Sequence, residues 1–341
     1  MRNILNFLRK ERLYLLLLVF VMLMNVIVVT HSAKHVQAPH KESAPGLKKQ
    51  AVERVFEANK GLRDLFTIAS LLILLILSLG LLLDLALLIW KLTGKRIDIL
   101  TYKTHKVSWN LWDVCRVVIL FSFFGYMLIL IEAFMAKTFP VVKNNDLRMI
   151  VNSSILDTLA VVFIIYFALS RHKEKLIALG ISFKNFIRNV LYGIAGYIAA
   201  VPLLLTILIA VSLVTDLVHY IPKEQAVVTL FMKEKNVMFL GYTVLFAALV
   251  GPMIEELFFR GFMYNALKKR VGIFWAALVT ASIFAGLHAH AVGFVPIMAL
   301  GLLLVYLYEK TGTLVAPITV HIIHNTSMVF LVLLVKQMKI G

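Results

Sequence analysis

Nine stretches of this chain are long and apolar enough to cross a bilayer, and nothing else in the sequence limits its fold so tightly. A spanning helix needs about 20 mostly apolar residues. The runs are Leu13–Thr30, Leu65–Trp90, Val117–Ala136, Met149–Ser170, Asn189–Val214, Val237–Ile254, Val271–His288, Phe294–Tyr308 and Leu314–Val335. The expected fold is all-α, a polytopic transmembrane helix bundle of eight to nine spans. Phe294–Tyr308 is short, and a tilted or partly re-entrant path is open to it. Composition agrees: 61% of residues are hydrophobic and 16% charged, against about 45–50% and about 25% in soluble domains. A soluble globular fold could not bury that excess. With 17 Gly, 8 Pro and one Cys, disorder, collagen and a disulfide scaffold are excluded too. Cys115 has no internal partner and reads as packing.

Lys and Arg number 35 against 18 Asp and Glu, a net charge of +17. The basic residues lie mostly between apolar runs, where they set orientation and meet anionic headgroups. Membrane lipids are therefore expected partners. No stacking pattern of aromatics accompanies the charge, so nucleic acid is not. The first run follows Arg2, Arg9, Lys10 and Arg12 without a convincing small-residue cleavage site, and reads as an uncleaved span. Alternating spans place the N-terminus, Lys91–Lys106, Arg171–Arg188 and Lys268–Arg270 in the cytoplasm. One loop, His31–Asp64, falls outside despite seven Lys/Arg; its part Gly46–Asp64 reads as a short surface-lying amphipathic helix. The expected organisation is an N-terminal span with a polar loop (1–64), a helical membrane region (65–236), a catalytic helical core (237–335) and a tail (336–341). The expected location is the cell membrane.

Ionisable groups inside apolar runs are costly and mark either function or a paired structural site. Asp84, Glu132 and Asp157 are isolated, and interface or interhelical hydrogen bonding is expected of them. Arg116 is placed to snorkel to the headgroups. The segment Ala248–Phe262, ALVGPMIEELFFRGF, is different. Glu256 and Arg260 are four apart on one face and can pair. Glu255 is rotated by about 100° and can point into the bundle. A partly desolvated carboxylate there is suited to proton transfer. Gly251-Pro252 should loosen the helix and free backbone carbonyls. A structural Glu–Arg bridge would account for Glu256 and Arg260 but leaves Glu255 unexplained.

Two further polar insertions follow. Phe284-Ala-Gly-Leu-His288 puts a histidine near a span end, one turn after Phe284 on the same face. By itself such a histidine is as well explained by an interhelical hydrogen bond. His290, about 200° further round, cannot share its direction and belongs to a turn. In His321-Ile-Ile-His324-Asn325, His321 and Asn325 stack on one face. His324 is about 60° from His321 and can serve as its partner. Imidazole and amide both donate hydrogen bonds, which in a dry site stabilise an oxyanion. Together the three insertions hold the parts of a hydrolase that activates water.

These residues resemble the CPBP or Abi family of intramembrane proteases, which includes the type II CAAX prenyl endopeptidases. The family pattern E-E-x-x-x-R, F-x-x-x-H, H-x-x-x-N is met by Glu255-Glu256…Arg260, Phe284…His288 and His321…Asn325, in order, over about Leu245–Phe330. The resemblance implies a helical membrane fold with a cavity open toward the cytosol, and peptide-bond hydrolysis of membrane-associated or lipidated peptides and proteins. It implies Glu255 as general base for water, His288 as its binder and polariser, and His321 and Asn325 as holders of the oxyanion. Glu256, Arg260, Phe284 and His324 would support them.

The family is commonly labelled metalloprotease, and Glu255, His288 and His321 could hold one divalent metal such as Zn²⁺. No H-E-x-x-H is present, and a metal-free mechanism needs the same residues; the balance leans to the latter. Two other readings compete. A proton-coupled transporter explains midmembrane ionisable groups but not the Glu/His/Asn combination, and no paired discontinuous helices mark an inverted repeat. A non-catalytic immunity or scaffold protein would keep the same residues without turnover.

Overall fold

The computed structural model describes residues 2–34, 55–57, 59–93, 106–135, 145–220, 222 and 225–340. Among these residues there is no strand. Eight stretches are long and apolar enough to span a membrane. One of them, Val237–Leu287, is 51 residues long. As one helix it would measure about 77 Å, far more than a hydrocarbon core of about 30 Å. Gly272 interrupts it at φ 78°, ψ 175°, a conformation that only glycine adopts readily. Across that break the guanidinium of Arg260 lies 4.6 Å from the ring centre of Phe284. Twenty-four residues of continuous helix would hold the two about 36 Å apart. The chain therefore doubles back at Gly272, and one apolar stretch supplies two of the nine expected runs.

The chain forms two compact units that interleave along the sequence, 1–42 with 108–174 and 43–107 with 175–341. The first contains α1 (Arg2–Lys34), α2 (Leu111–Met135) and α3 (Asn145–Ile165), the last widening into a π-helical turn at Tyr166–Arg171. Here one expectation is corrected. Arg116 does not reach for headgroups: it is 4% exposed and its guanidinium donates to Glu11 of α1 and to Asp113. Asp113 also bonds His172 Nε2 at 2.9 Å and accepts from Asn110 N at 3.0 Å. The Arg116 guanidinium faces the Tyr14 ring at 5.4 Å. Two carboxylates within reach of one arginine outweigh the attraction of water for it. Glu132 behaves as expected, pairing across helices with Arg148 at 2.7 Å.

The second unit contains α4 (Lys60–Leu92), a 3₁₀ turn at Leu176–Leu179, α5 (Phe186–Leu217), α6 (Ala226–Lys233), α7 (Val237–Leu245), α8 (Gly251–Glu256), α9 (Asn265–Leu287), α10 (Phe294–Thr311) and α11 (Val315–Ile340). Two π-helical stretches, Phe246–Val250 and Leu257–Tyr264, flank α8. Most of the surface helix expected at Gly46–Asp64 falls outside the described residues; its last residues, from Lys60, begin α4. Tyr197 of α5, Leu300, Leu304 and Leu307 of α10, and Ala316 and Val320 of α11 form one buried cluster. Leu62 and Ala69 of α4 meet Leu334 and Met338 of α11 in another. Lys336 of α11 donates to Glu234 O at the C-terminal end of α6, where a cation complements the helix dipole.

Candidate active site

Glu255 precedes Gly272 by seventeen residues and His288 follows it by sixteen. At about 1.5 Å per residue both lie about 25 Å from the bend, so the hairpin returns the histidine to the depth of the carboxylate. His288 closes α9 as its C-cap, and the chain turns at once through His290, whose Nδ1 accepts from Gly293 N at 2.9 Å. His290 thus belongs to the turn, as its position around the helix axis required.

Phe284 is the hub that joins the arms. Its ring is 4.7 Å from the His288 ring, 5.5 Å from the His321 ring and 5.2 Å from Phe259, and it covers the Arg260 guanidinium. Close approach is needed nearby. A Cβ on Gly261 would lie 2.7 Å from Leu179 O, so only glycine lets the Leu176–Leu179 turn reach that helix. Gly301 of α10 offers its carbonyl to Arg260 Nη2 at 3.3 Å. No signal in the sequence marked it.

The charges form a chain with an open end. Arg260 Nη1 donates to Glu256 Oε1 at 2.6 Å, and the same oxygen accepts from His321 Nδ1 at 2.9 Å. All three are buried to within 1%. His321 Nε2 faces Glu255 Oε2 at 3.7 Å, too long for a hydrogen bond. Glu255 Oε2 is hidden from solvent without a hydrogen-bond partner, although its side chain is 39% exposed. Glu256 Oε2 and Arg260 Nε are likewise buried without partners. Such groups call for ordered water.

The loosening expected from Gly251-Pro252 has a definite form. Gly251 N–H reaches back five residues to Phe246 O. The next residue in that register is Pro252, which has no N–H, so Ala247 O loses its helical donor. Asn325 Nδ2 supplies the missing bond at 3.0 Å. One amide hydrogen of the expected oxyanion donor is thereby engaged in tying α11 to the π-helical stretch. His324 contacts Tyr197 instead of His321: Nδ1 lies 3.2 Å from the tyrosine hydroxyl, with the rings edge-on at 5.9 Å. Sequence reasoning missed Tyr197, one tyrosine among eleven in an apolar chain.

A metal site can be tested on the same geometry. Catalytic zinc takes three protein ligands around one point. Among the described residues no three His, Cys, Asp or Glu side chains are grouped to hold an ion. His321 and Glu255 approach each other, but His288 does not complete a set with them. The residues as placed do not fit zinc.

A family model described as type II CAAX prenyl endopeptidase Rce1-like matches residues 237–327. Over 88 residues the chain is 31% identical to "Putative membrane peptidase YdiL" of Bacillus subtilis (strain 168). That alignment covers 26% of this chain and 36% of the relative, so only about a third of the relative's length is spanned. No solved structure matches the chain. The matched segment starts with α7, ends inside α11 and contains Glu255, Glu256, Arg260, Phe284, His288, His321, His324 and Asn325, but not Tyr197. Residues 237–327 are thus similar to the Rce1-like type II CAAX prenyl endopeptidases, and they lie among helices long and apolar enough to cross a membrane.

Proposed function

We propose that this protein is an intramembrane endopeptidase of the CAAX-processing type, acting on peptide bonds of membrane-associated or lipidated peptides and proteins. The observation that carries this reading is the pair Glu255 Oε2 and His321 Nε2, 3.7 Å apart. His321 Nδ1 faces a carboxylate oxygen and so carries a proton. In the neutral ring Nε2 is then an acceptor that faces another acceptor, the Glu255 carboxylate. A water molecule donating to both satisfies the two groups and is held against a base.

Glu255 takes one proton from that water as its oxygen attacks the scissile carbonyl carbon. His288 Nδ1 faces Phe284 O at 2.8 Å. A carbonyl only accepts, so the ring is protonated at Nδ1 and presents Nε2 as an acceptor that can take the water's second hydrogen in place of His321. Attack forms the new C–O bond and leaves negative charge on the former carbonyl oxygen. The donors for that charge are Asn325, through its second amide hydrogen, and His321 once its ring has taken up a second proton from solvent, His288 then being the ring that holds the water. Collapse breaks the C–N bond, and the amine leaves with the proton that Glu255 had taken. Glu256, Arg260 and Phe284 act through His321 by fixing its ring. Lys268, Lys269 and Arg270, near the bend of the hairpin, mark its cytoplasmic end in this reading.

The test is cleavage of an internally quenched peptide ending in a prenylated Cys-aliphatic-aliphatic-X sequence, with the full-length protein in lipid nanodiscs. Glu255→Gln and His288→Ala should each abolish cleavage while membrane insertion is kept. Wild-type rates in both variants would overturn the catalytic assignment. Peptidomics of cells holding wild-type protein or Glu255→Gln would then identify the natural substrate.

A further inference from the structure

The chain between Arg171 and Phe186 links two apolar spans, Ile150–Arg171 and Phe186–Leu217, so it lies at a face of the membrane. From 175 to 188 this segment has two sides, and the inner one is committed. Ala178 and Leu179 are buried to within 4%. The Leu179 carbonyl sits where a Cβ on Gly261 would come within 2.7 Å of it, and Gly180 O accepts from Leu314 N at 2.8 Å. Gly180 turns at φ 80°, and a Cβ there would lie 2.6 Å from the Tyr308 ring. The backbone is thereby fixed against the π-helical stretch Leu257–Tyr264 and the start of α11, and side chains on its other side have no room to turn inward.

That outer side carries Phe183 at 76% exposure and Ile187 at 68%, with Leu176, Ile177 and Phe186 between 41% and 44%. Lys175, Lys184 and Arg188 are exposed among them, and no acidic residue occurs from 175 to 188. The Arg188 guanidinium donates to the hydroxyl of Tyr192, one turn further along α5, at 2.9 Å, which keeps the charge at the end of the span. Large apolar side chains interleaved with cations suit a surface that lies in the headgroup layer. The apolar groups enter the acyl boundary while the charged ends stay with the phosphates. Water alone gives such a patch no reason to persist on a fixed backbone. In the orientation that the loop charges favour, this face is cytoplasmic, where the leaflet carries anionic lipid.

We propose that residues 175–188 form an interfacial strap that docks on anionic phospholipid. Phe183 and Ile187 enter the acyl boundary, and Lys175, Lys184 and Arg188 meet the headgroup phosphates. The strap lies outside the matched segment 237–327 yet rests on two of its parts, the stretch that bears Arg260 and the helix that bears His321. The docking does not depend on the endopeptidase reading.

The test places a nitroxide label on the full-length protein. Cys115, the single cysteine, is removed as Cys115→Ala, and the label is attached through Phe183→Cys or, separately, Ile187→Cys. Each protein is reconstituted in vesicles of phosphatidylcholine alone or of equal parts phosphatidylcholine and phosphatidylglycerol. Electron paramagnetic resonance then reads collision of the label with oxygen, which concentrates among acyl chains, and with a neutral nickel chelate, which stays in water. Leu203→Cys, at a position 59% exposed within α5, calibrates the acyl interior and checks that each variant is folded. With phosphatidylglycerol present, both strap labels should meet oxygen readily, and their collisions with nickel should fall at least about threefold from those in phosphatidylcholine alone. That protection should vanish when Lys175→Gln, Lys184→Gln and Arg188→Gln are combined, and when salt shortens the Debye length to about 3 Å. Labels equally open to nickel in both lipids overturn the proposal, and so does protection that survives loss of the three cations. Labels shielded from both reagents and broadened by a neighbouring spin would assign the face to a second copy of the chain, which overturns it as well.

Discussion

Two buried clusters in this protein are made of almost the same parts. Each sets two carboxylates and a histidine around a buried arginine: Arg116 with Glu11, Asp113 and His172 in one unit, where Arg171 also lies 3.9 Å from Asp113, and Arg260 with Glu256, Glu255 and His321 in the other. In the first, the arginine holds both carboxylates, and Asp113 also takes the histidine and a backbone N–H. In the second, arginine and histidine converge on Glu256 alone, and Glu255 is left facing a ring nitrogen at 3.7 Å. A closed cluster has its desolvation offset within itself, and it joins helices. An open one keeps an unsatisfied acceptor where water can be bound, and that is the condition for chemistry. The presence of buried charge therefore says little; where the hydrogen-bond chain ends says more.

The sharpest test of this contrast exchanges the carboxylates one at a time. Glu255→Gln should lower cleavage of the peptide probe by at least about 1,000-fold and leave unfolding in mixed detergent micelles unchanged or slightly later, since it removes a charge whose buried oxygen has no hydrogen-bond partner. Glu11→Gln should do the reverse, with cleavage per folded molecule unaltered and earlier unfolding. An equal loss of activity from both would erase the distinction.

Next in size is Arg116→Met, which takes from Glu11 its buried cation and from Asp113 one of several partners, and should cost about 3–5 kcal/mol, read as a shift of the same unfolding transition. Gly272→Ala should cost about 1–3 kcal/mol even though a Cβ there meets nothing within 4 Å, because the cost is backbone strain at positive φ and not a clash. If Gly272→Ala is silent, the hairpin that brings His288 to Glu255 does not depend on that conformation. The smallest effect concerns Pro252 and Asn325. Pro252→Ala restores a donor for Ala247 O, so Asn325→Leu should be less harmful on that background, by about 1 kcal/mol in a double-mutant cycle. Simple additivity would mean that the Asn325 bond to Ala247 O contributes nothing to stability.

Much of this was legible in the linear sequence. The nine runs, the Glu256–Arg260 pair at a spacing of four, the placing of His290 in a turn and the loosening before Pro252 all follow from helix geometry and the chemistry of proline. Arg116 was misjudged because a lone arginine in an apolar run looks the same whether it reaches for water or for a carboxylate about a hundred residues away. His324 was assigned to His321 by angular proximity on one helix, whereas its hydrogen bond crosses to α5.

The amino-acid order determined that the chain is a membrane helix bundle and which residues are too polar for lipid, because burial cost and helical period act over neighbouring residues. Only the tertiary structure decided which carboxylate is satisfied and which is left open, that Phe284 binds the two arms together, and that Tyr197 faces His324. Those outcomes depend on contacts between residues far apart in the chain, and a hydrogen bond is set by distances of tenths of an ångström that no local pattern encodes.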